Sequence, residues 1–203
     1  MEKNTTVQEE KKLLRSKIRA VLKEKYSDRE KISSLGKSAC KRILEDENYL
    51  SADIVLSYIP YGFELDSTFL TEQALKDGKK ICVPRVEPDS SSMDFYFLTG
   101  ELPLIAQLEK GSFGISEPKG TLQKLETDST LNGKKIFMVV PGLAFTEKGA
   151  RLGKGRGFYD FYIPRLIKSG CSLFAAGFCY REQVVENLPV EDTDFFLHCL
   201  FTP

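Results

Sequence analysis

The sequence holds one histidine, His198, and no tryptophan among its 203 residues. A histidine-dependent nucleophilic triad or a multi-histidine metal site would have to be built from that single residue. Neither sign of charge is in surplus: 29 Lys and Arg balance 29 Asp and Glu. A dedicated nucleic-acid-binding domain is usually basic, so none is expected here, and any anion site must be a local cluster. The five cysteines, Cys40, Cys82, Cys171, Cys179 and Cys199, include no CxxC pair, which argues against a zinc site or a thioredoxin-like motif. Their odd number and scatter suit a reducing cytoplasm, and the start MEKNTTVQEEKK carries no apolar h-region, so a cytoplasmic protein is expected. The longest apolar run, Ile136 to Phe145, is broken by Pro141 and Gly142 and is far too short to span a bilayer.

What is present suits one globular domain over residues 1–203, with 41% hydrophobic and 29% charged residues. Leu14, Ile18, Val21 and Leu22 follow helical spacing within 11–25. Ser27 with Glu30 reads as a capping box opening a second helix, whose apolar face is Ile32, Leu35, Ala39 and Ile43. DIVLSY at 53–58 and KICVP at 80–84 read as buried strands, with a helix over 67–76 between them. That βαβ unit implies a parallel pair. MDFYFL at 93–98 alternates and predicts a half-buried strand; 99–133 reads mostly as loop. KIFMVVP at 135–141 is the strongest strand, a helix follows from about 157 to 168, and LFAAGF at 173–178 is a further buried strand. The alternation predicts an α/β fold with a mainly parallel central sheet.

The segment PGLAFTEKGARLGKGRGFYDFY, Pro141 to Tyr162, joins the strongest strand to a helix. Open α/β sheets bind ligands beyond the carboxyl ends of their strands. Gly149, Gly153, Gly155 and Gly157 permit positive φ, Arg151, Lys154 and Arg156 interleave with them, and a helix N-terminus follows. Together they suggest a pocket for a polyanion such as the phosphates of a nucleotide; the other reading is a surface loop with solvated cations. The loop is neither a Walker A motif, being one residue short with Gly155 in the Ser/Thr position, nor a GxGxxG fingerprint, since Gly153, Gly155 and Gly157 read GxGxG. Asp160 suits either a Mg²⁺ ligand beside phosphates or a carboxylate favoured by the helix dipole. Lys11, Arg15, Arg19 and Lys23 recur every fourth residue, as a solvated face or as cations that close over a nucleotide.

The same run resembles the signature of the 5-formyltetrahydrofolate cyclo-ligase (methenyltetrahydrofolate synthetase) family, roughly P-G-[LV]-[AG]-F-D-x-x-G-x-R-L-G-x-G-x-G-[FY]-Y-D. Thr146 stands here for the usual Asp. KKLLR at Lys11 to Arg15, SYIPYGFELDST at 57–68 and VPRV at 83–86 resemble further family segments. The resemblance implies a three-layer α/β/α fold, NagB/RpiA/CoA-transferase-like and a Rossmann-type variant. It implies that 5-formyltetrahydrofolate and ATP, with Mg²⁺, give 5,10-methenyltetrahydrofolate, ADP and phosphate through a phosphorylated formyl group. Carried over by position, Lys11, Lys12, Leu13, Leu14 and Arg15, with Arg151, Leu152, Gly153, Lys154, Gly155, Arg156, Gly157, Phe158 and Tyr159, would bind ATP. Ile59 and Glu64, with Lys154 to Phe158, would bind the folate; Glu64 alone also reads as a loop carboxylate before a helix. Lys154 and Arg156 would neutralise charge in the transition state, and Asp160 and Asp194 would hold the metal. Thr193 stands where the family often has His. A monomer is expected. Two competitors are a non-catalytic nucleotide or folate binder, motivated by Thr146 and Thr193, and a sugar-phosphate isomerase, for which no acid/base set is evident.

Overall fold

The computed structural model describes residues 6–87, 92–111, 114–191 and 194–203; Thr193 lies outside them. Helix α1, Val7–Lys25, begins earlier than its apolar spacing predicts. Thr6 and Glu9 form a capping box that satisfies the first-turn amides. Helix α2, Arg29–Leu44, is capped by Asp28 rather than by Ser27: the Asp28 carboxylate accepts from the amides of Glu30 and Lys31. A short helix α3, Glu47–Leu50, which has too few residues for a periodic signal, leads into strand β1, Ile54–Leu56. Helix α4, Thr68–Lys76, crosses to β2, Lys80–Val86, which pairs parallel with β1.

Strand β3, Met93–Phe97, pairs antiparallel with β2. It is buried on both faces instead of half-buried, because its one charged side chain, Asp94, is covered by Lys124 at 3.0 Å and Arg165 at 2.8 Å. Strands β4, Leu108–Lys110, and β5, Ser116–Pro118, form a small antiparallel pair. Strand β6, Lys135–Val140, is central. Strands β7, Ala144–Phe145, and β8, Arg151–Leu152, make a hairpin within the glycine-rich segment, too short to register as an alternating pattern. Helix α5, Phe158–Lys168, strand β9, Ser172–Phe178, and strand β10, Cys199–Phe201, complete the chain. The main sheet has the order β10-β9-β6-β1-β2-β3, parallel except for β3.

Alternation along β6 explains the layering. Phe137 and Val139 face a core built with α1, α2 and α4; Ile136, Met138 and Val140 face a second core with Tyr162, Ile163 and Leu166 of α5. A parallel strand buried on both faces reads as a continuous apolar run, which is why KIFMVV is so legible. Helices therefore cover both faces of a mainly parallel sheet, and the carboxyl ends of β1, β2 and β6 open toward one edge. All five cysteines are free, and among the described residues no helix is long and apolar enough to cross a membrane.

Candidate active site

At that edge lies a cavity of about 340 Å³. Tyr58 and Ile59 follow β1, Pro84 and Val86 end β2, and Pro141 and Gly142 follow β6, so the ligand-binding rule for open sheets places it correctly. One wall is apolar, with Tyr58, Ile59, Pro84, Val86, Met93 and Ile115; the other is the loop, with Arg151, Gly153, Lys154, Arg156, Gly157, Phe158, Tyr159 and Asp160. Glu64 and Arg19 stand at its rim. A second cavity, about 450 Å³, adjoins it between α1 and the segment Tyr61–Glu64, and Lys154 lines both.

The loop is shaped by its glycines at three of the four expected places: Gly149, Gly155 and Gly157 have positive φ, and Gly153 does not. Thr146 accounts for the turn of the β7–β8 hairpin. Its hydroxyl accepts from the Ala150 amide at 3.1 Å, its amide donates to the Ala150 carbonyl at 2.9 Å, and its carbonyl accepts from Gly149 at 2.9 Å. A carboxylate at this position could accept the same amide, so the departure from the family signature conserves the turn-capping role and removes one motive for a non-catalytic reading. Gly157 caps α5 in the left-handed conformation, and Asp160 lies in the first turn.

The cations are all engaged. Arg151 donates to Asp160 at 2.6 Å, with its guanidinium 5.4 Å over the Tyr159 ring. Lys154 pairs with Glu64 at 2.7 Å and lies 5.1 Å over the Tyr61 ring, while Glu64 also accepts the Tyr61 amide at 2.9 Å. Burial first, and the negative charge of Glu64 second, push the Tyr58 and Tyr159 hydroxyls well above the ordinary tyrosine range. Both are therefore protonated donors at neutral pH, and Tyr58 spends its proton on the Leu65 carbonyl.

Helix α1 lies along the loop. Arg15 donates to the Gly153 carbonyl at 3.0 Å and Arg19 to that of Lys154 at 3.4 Å. Burial, then the neighbouring charge of Arg19, lower the Arg15 pKa. The stripe is thus divided: Lys11 is buried against Glu191 at 2.8 Å and Asp194 at 3.0 Å and Arg15 is half-buried, whereas Arg19 and Lys23 are exposed where they border the second cavity. Burial opposes the charge on Lys11, but the two carboxylates outweigh it and raise the pKa.

The residues singled out in the sequence separate into two groups. Ile59, Glu64, Arg151, Gly153, Lys154, Arg156, Gly157, Phe158, Tyr159 and Asp160 meet at one cavity, and Gly155 packs against Arg15. Lys11, Lys12, Leu13, Leu14, Arg15, Leu152 and Gly155 line neither cavity; Lys12 and Leu13 are exposed, and Leu152 is core. Asp194, which accepts from Lys11 and from the Glu191 amide at 2.9 Å, also lies outside both linings. Among the described residues no group of three or more His, Cys, Asp or Glu is arranged to hold a metal. Tyr61, Met93 and Glu117 were not expected; Glu117 comes from the aperiodic segment and had no sequence signal, whereas Tyr58 and Pro84 are reachable from the strand-end rule.

The chain is similar to several known proteins. The profile described as 5-formyltetrahydrofolate cyclo-ligase family matches residues 7–203. A probable 5-formyltetrahydrofolate cyclo-ligase of Schizosaccharomyces pombe is 31% identical over 181 residues, covering 85% of each chain. The 5-formyltetrahydrofolate cyclo-ligase of Escherichia coli K12 is 28% identical over 191 residues, 94% of this chain and 97% of its own. The solved structure of Aquifex aeolicus 5,10-methenyltetrahydrofolate synthetase superposes with a TM-score of 0.70 at 29% identity, covering 95% of this chain and 89% of that one. The Mycoplasma pneumoniae synthetase shares the fold, with a TM-score of 0.67 at 17% identity over 95% of this chain and 98% of that one.

Proposed function

The chain belongs to the 5-formyltetrahydrofolate cyclo-ligase family, and on that premise we propose how it converts 5-formyltetrahydrofolate to 5,10-methenyltetrahydrofolate: by spending ATP. The observation that carries the reading is that the cation-bearing loop faces an apolar wall across one cavity, and that a second cavity beside α1 adjoins it at Lys154. The pterin occupies the apolar cavity against Ile59 and Glu64, with Phe158 and the backbone of Gly155 and Gly157 beside it. The nucleotide lies along α1 and the loop, its phosphates toward Lys11, Arg15, Arg151, Lys154 and Arg156. By position in the family signature, the segments Lys11 to Arg15 and Arg151 to Tyr159 would form the two sides of its site.

In this reading the formyl oxygen of the folate attacks the γ-phosphorus, the bond to the β-bridging oxygen breaks, and ADP leaves. The N10 nitrogen then attacks the activated formyl carbon and loses its proton. The carbon–oxygen bond breaks, and the oxygen departs with phosphate. No protein nucleophile is needed. The chain holds the two reactants in contact and neutralises charge that grows on the transferred phosphoryl group. Lys154 and Arg156 carry that task; Lys154 exchanges Glu64 for phosphate oxygens as the nucleotide enters.

Mg²⁺ typically takes one or two carboxylates and completes its shell with phosphate oxygens and water. Asp160 stands at the cavity wall paired with Arg151, and Asp194 is paired with Lys11 outside both cavity linings. These two carboxylates would hold the ion, which when bound would offset phosphate charge. Every residue named comes from one chain, so a monomer suffices. The test is to mix the protein with 5-formyltetrahydrofolate, ATP and Mg²⁺ and follow the absorbance band of the methenyl product. The band grows only when ATP is present. Folded protein with all three components and no growth overturns the activity; growth without ATP overturns the phosphorylation step.

A further inference from the structure

The partition between the two cavities is built around one ammonium group. Arg19, Tyr61, Glu64, Gly142 and Lys154 border both spaces. Within that set Lys154 and Glu64 are charge partners at 2.7 Å. The Lys154 ammonium also lies 3.4 Å from the Tyr61 carbonyl and 5.1 Å over the Tyr61 ring, so one short segment holds it. Gly62, at φ +69°, makes the turn that folds this segment back. Glu64 is the more enclosed partner, with its side chain 12% exposed against 40% for Lys154. Its Oε1 takes the ammonium, and its Oε2 accepts the Tyr61 amide at 2.9 Å.

This ion pair occupies two groups that the reaction needs separately. Phosphate oxygens compete with Glu64 for the one ammonium, and the N–H donors of a pterin compete with Lys154 for the one carboxylate. A nucleotide that draws Lys154 away leaves Glu64 without its counter-charge in a largely enclosed place, and a ligand bringing N–H donors relieves that cost. A folate that takes Glu64 frees Lys154 for phosphate in the same way. Either ligand alone must break the pair; the second finds it already broken. We propose that the Lys154–Glu64 pair is an exchange latch through which nucleotide and folate each promote the binding of the other. The latch requires that the pterin reach Glu64 and the phosphates reach Lys154, as in the function proposed above. Linkage makes the promotion equal in both directions.

Calorimetry measures the affinity for 5-formyltetrahydrofolate with and without a saturating ATP analogue that carries nitrogen at the β,γ-bridge, with Mg²⁺ present throughout. The unsubstituted protein, E64Q, K154M and the double variant are compared, and melting curves identify any that does not fold. Lys154 is the more exposed member of the pair, so K154M carries the test if E64Q fails to fold. In the unsubstituted protein the analogue tightens folate binding about fivefold or more, and folate tightens the analogue by the same factor. That factor falls to about twofold or less in E64Q and in K154M. Without folate, E64Q also binds the analogue about threefold more tightly, because Lys154 is no longer engaged, and the gain disappears in the K154M background. A gain of equal size in both backgrounds is a general field effect of the lost charge and overturns the latch. So does a coupling factor that survives E64Q or K154M, or the absence of coupling in an unsubstituted protein that binds both ligands. Failure of the unsubstituted protein to bind the analogue or the folate at all overturns the placement of that ligand, and the latch with it.

Discussion

Replacing Arg151 by methionine removes a guanidinium whose side chain is 6% exposed but whose partner, Asp160, is 39% exposed. Breaking a fully buried pair costs about 3–5 kcal/mol, and an exposed one costs about 0–1. Because water can reclaim the Asp160 carboxylate, and methionine refills part of the space, the expected loss is about 1–2 kcal/mol of stability. For a chain of this length that lowers the melting temperature by about 2–8 °C. Turnover should fall much further. A preorganised cation lost from beside a transferring phosphoryl group costs about 10²–10³ in rate, whereas a folded protein with reduced stability keeps its full rate below the transition. Thermal unfolding and steady-state kinetics on one preparation separate the two effects. A turnover within about threefold of the parent, with the melting temperature lowered as expected, would refute the role assigned to Arg151 at the phosphates and leave it as a brace for Asp160. A double-mutant cycle with Asp160→Asn should then still show coupling of about 0.5 kcal/mol or more, since the two groups touch.

Thr146→Ala removes the hydroxyl that accepts the Ala150 amide and should cost about 1 kcal/mol in denaturant unfolding, while Thr146→Asp should retain turnover within about twofold; equal damage from both would contradict the capping role. Gly149→Ala puts a side chain at φ +88° and against the Leu197 carbonyl and should destabilise by about 2 kcal/mol or more in urea, with no change counting against the geometry. Asp94 is held below the ordinary aspartate range of 3.8: burial opposes its charge, but the hydrogen bonds from Lys124 and Arg165 prevail. Its folded pKa is depressed, so its contribution is fully present above the unfolded value and is lost as pH falls through the folded one. The stability gap between parent and Asp94→Asn should therefore hold at neutral pH and close below about pH 4 in melting curves; a gap independent of pH would contradict the pairing.

Legibility followed burial. Strands β6 and β9 announce themselves because, after their exposed first residues Lys135 and Ser172, both faces are covered and every position is apolar or small. β3 misleads for a related reason. Its alternation points to a wet face, but partners from 124 and 165 turn that face into a covered one. Caps were shifted by a residue or a turn where two good capping residues stand close together, as with Ser27 and Asp28. At the site, the glycine and cation spacing of Arg151 to Gly157 was enough to locate the loop, since that chemistry is local. The partners of the cations in the loop and on α1 were not readable: Lys11 meets Asp194 across 183 positions and Lys154 meets the Tyr61–Glu64 segment. Glu117 was invisible for the same reason, reaching the cavity from a stretch with no period of its own.

The central claim is that the loop from Arg151 to Gly157 holds a triphosphate against a folate in the adjoining apolar cavity. A crystal structure of the protein with ADP and 5-formyltetrahydrofolate tests it most directly. Phosphate density is expected among Arg15, Lys154 and Arg156, with the pterin between Tyr58 and Met93. Nucleotide seated elsewhere, with that loop still closed on Glu64 and Asp160, would contradict it.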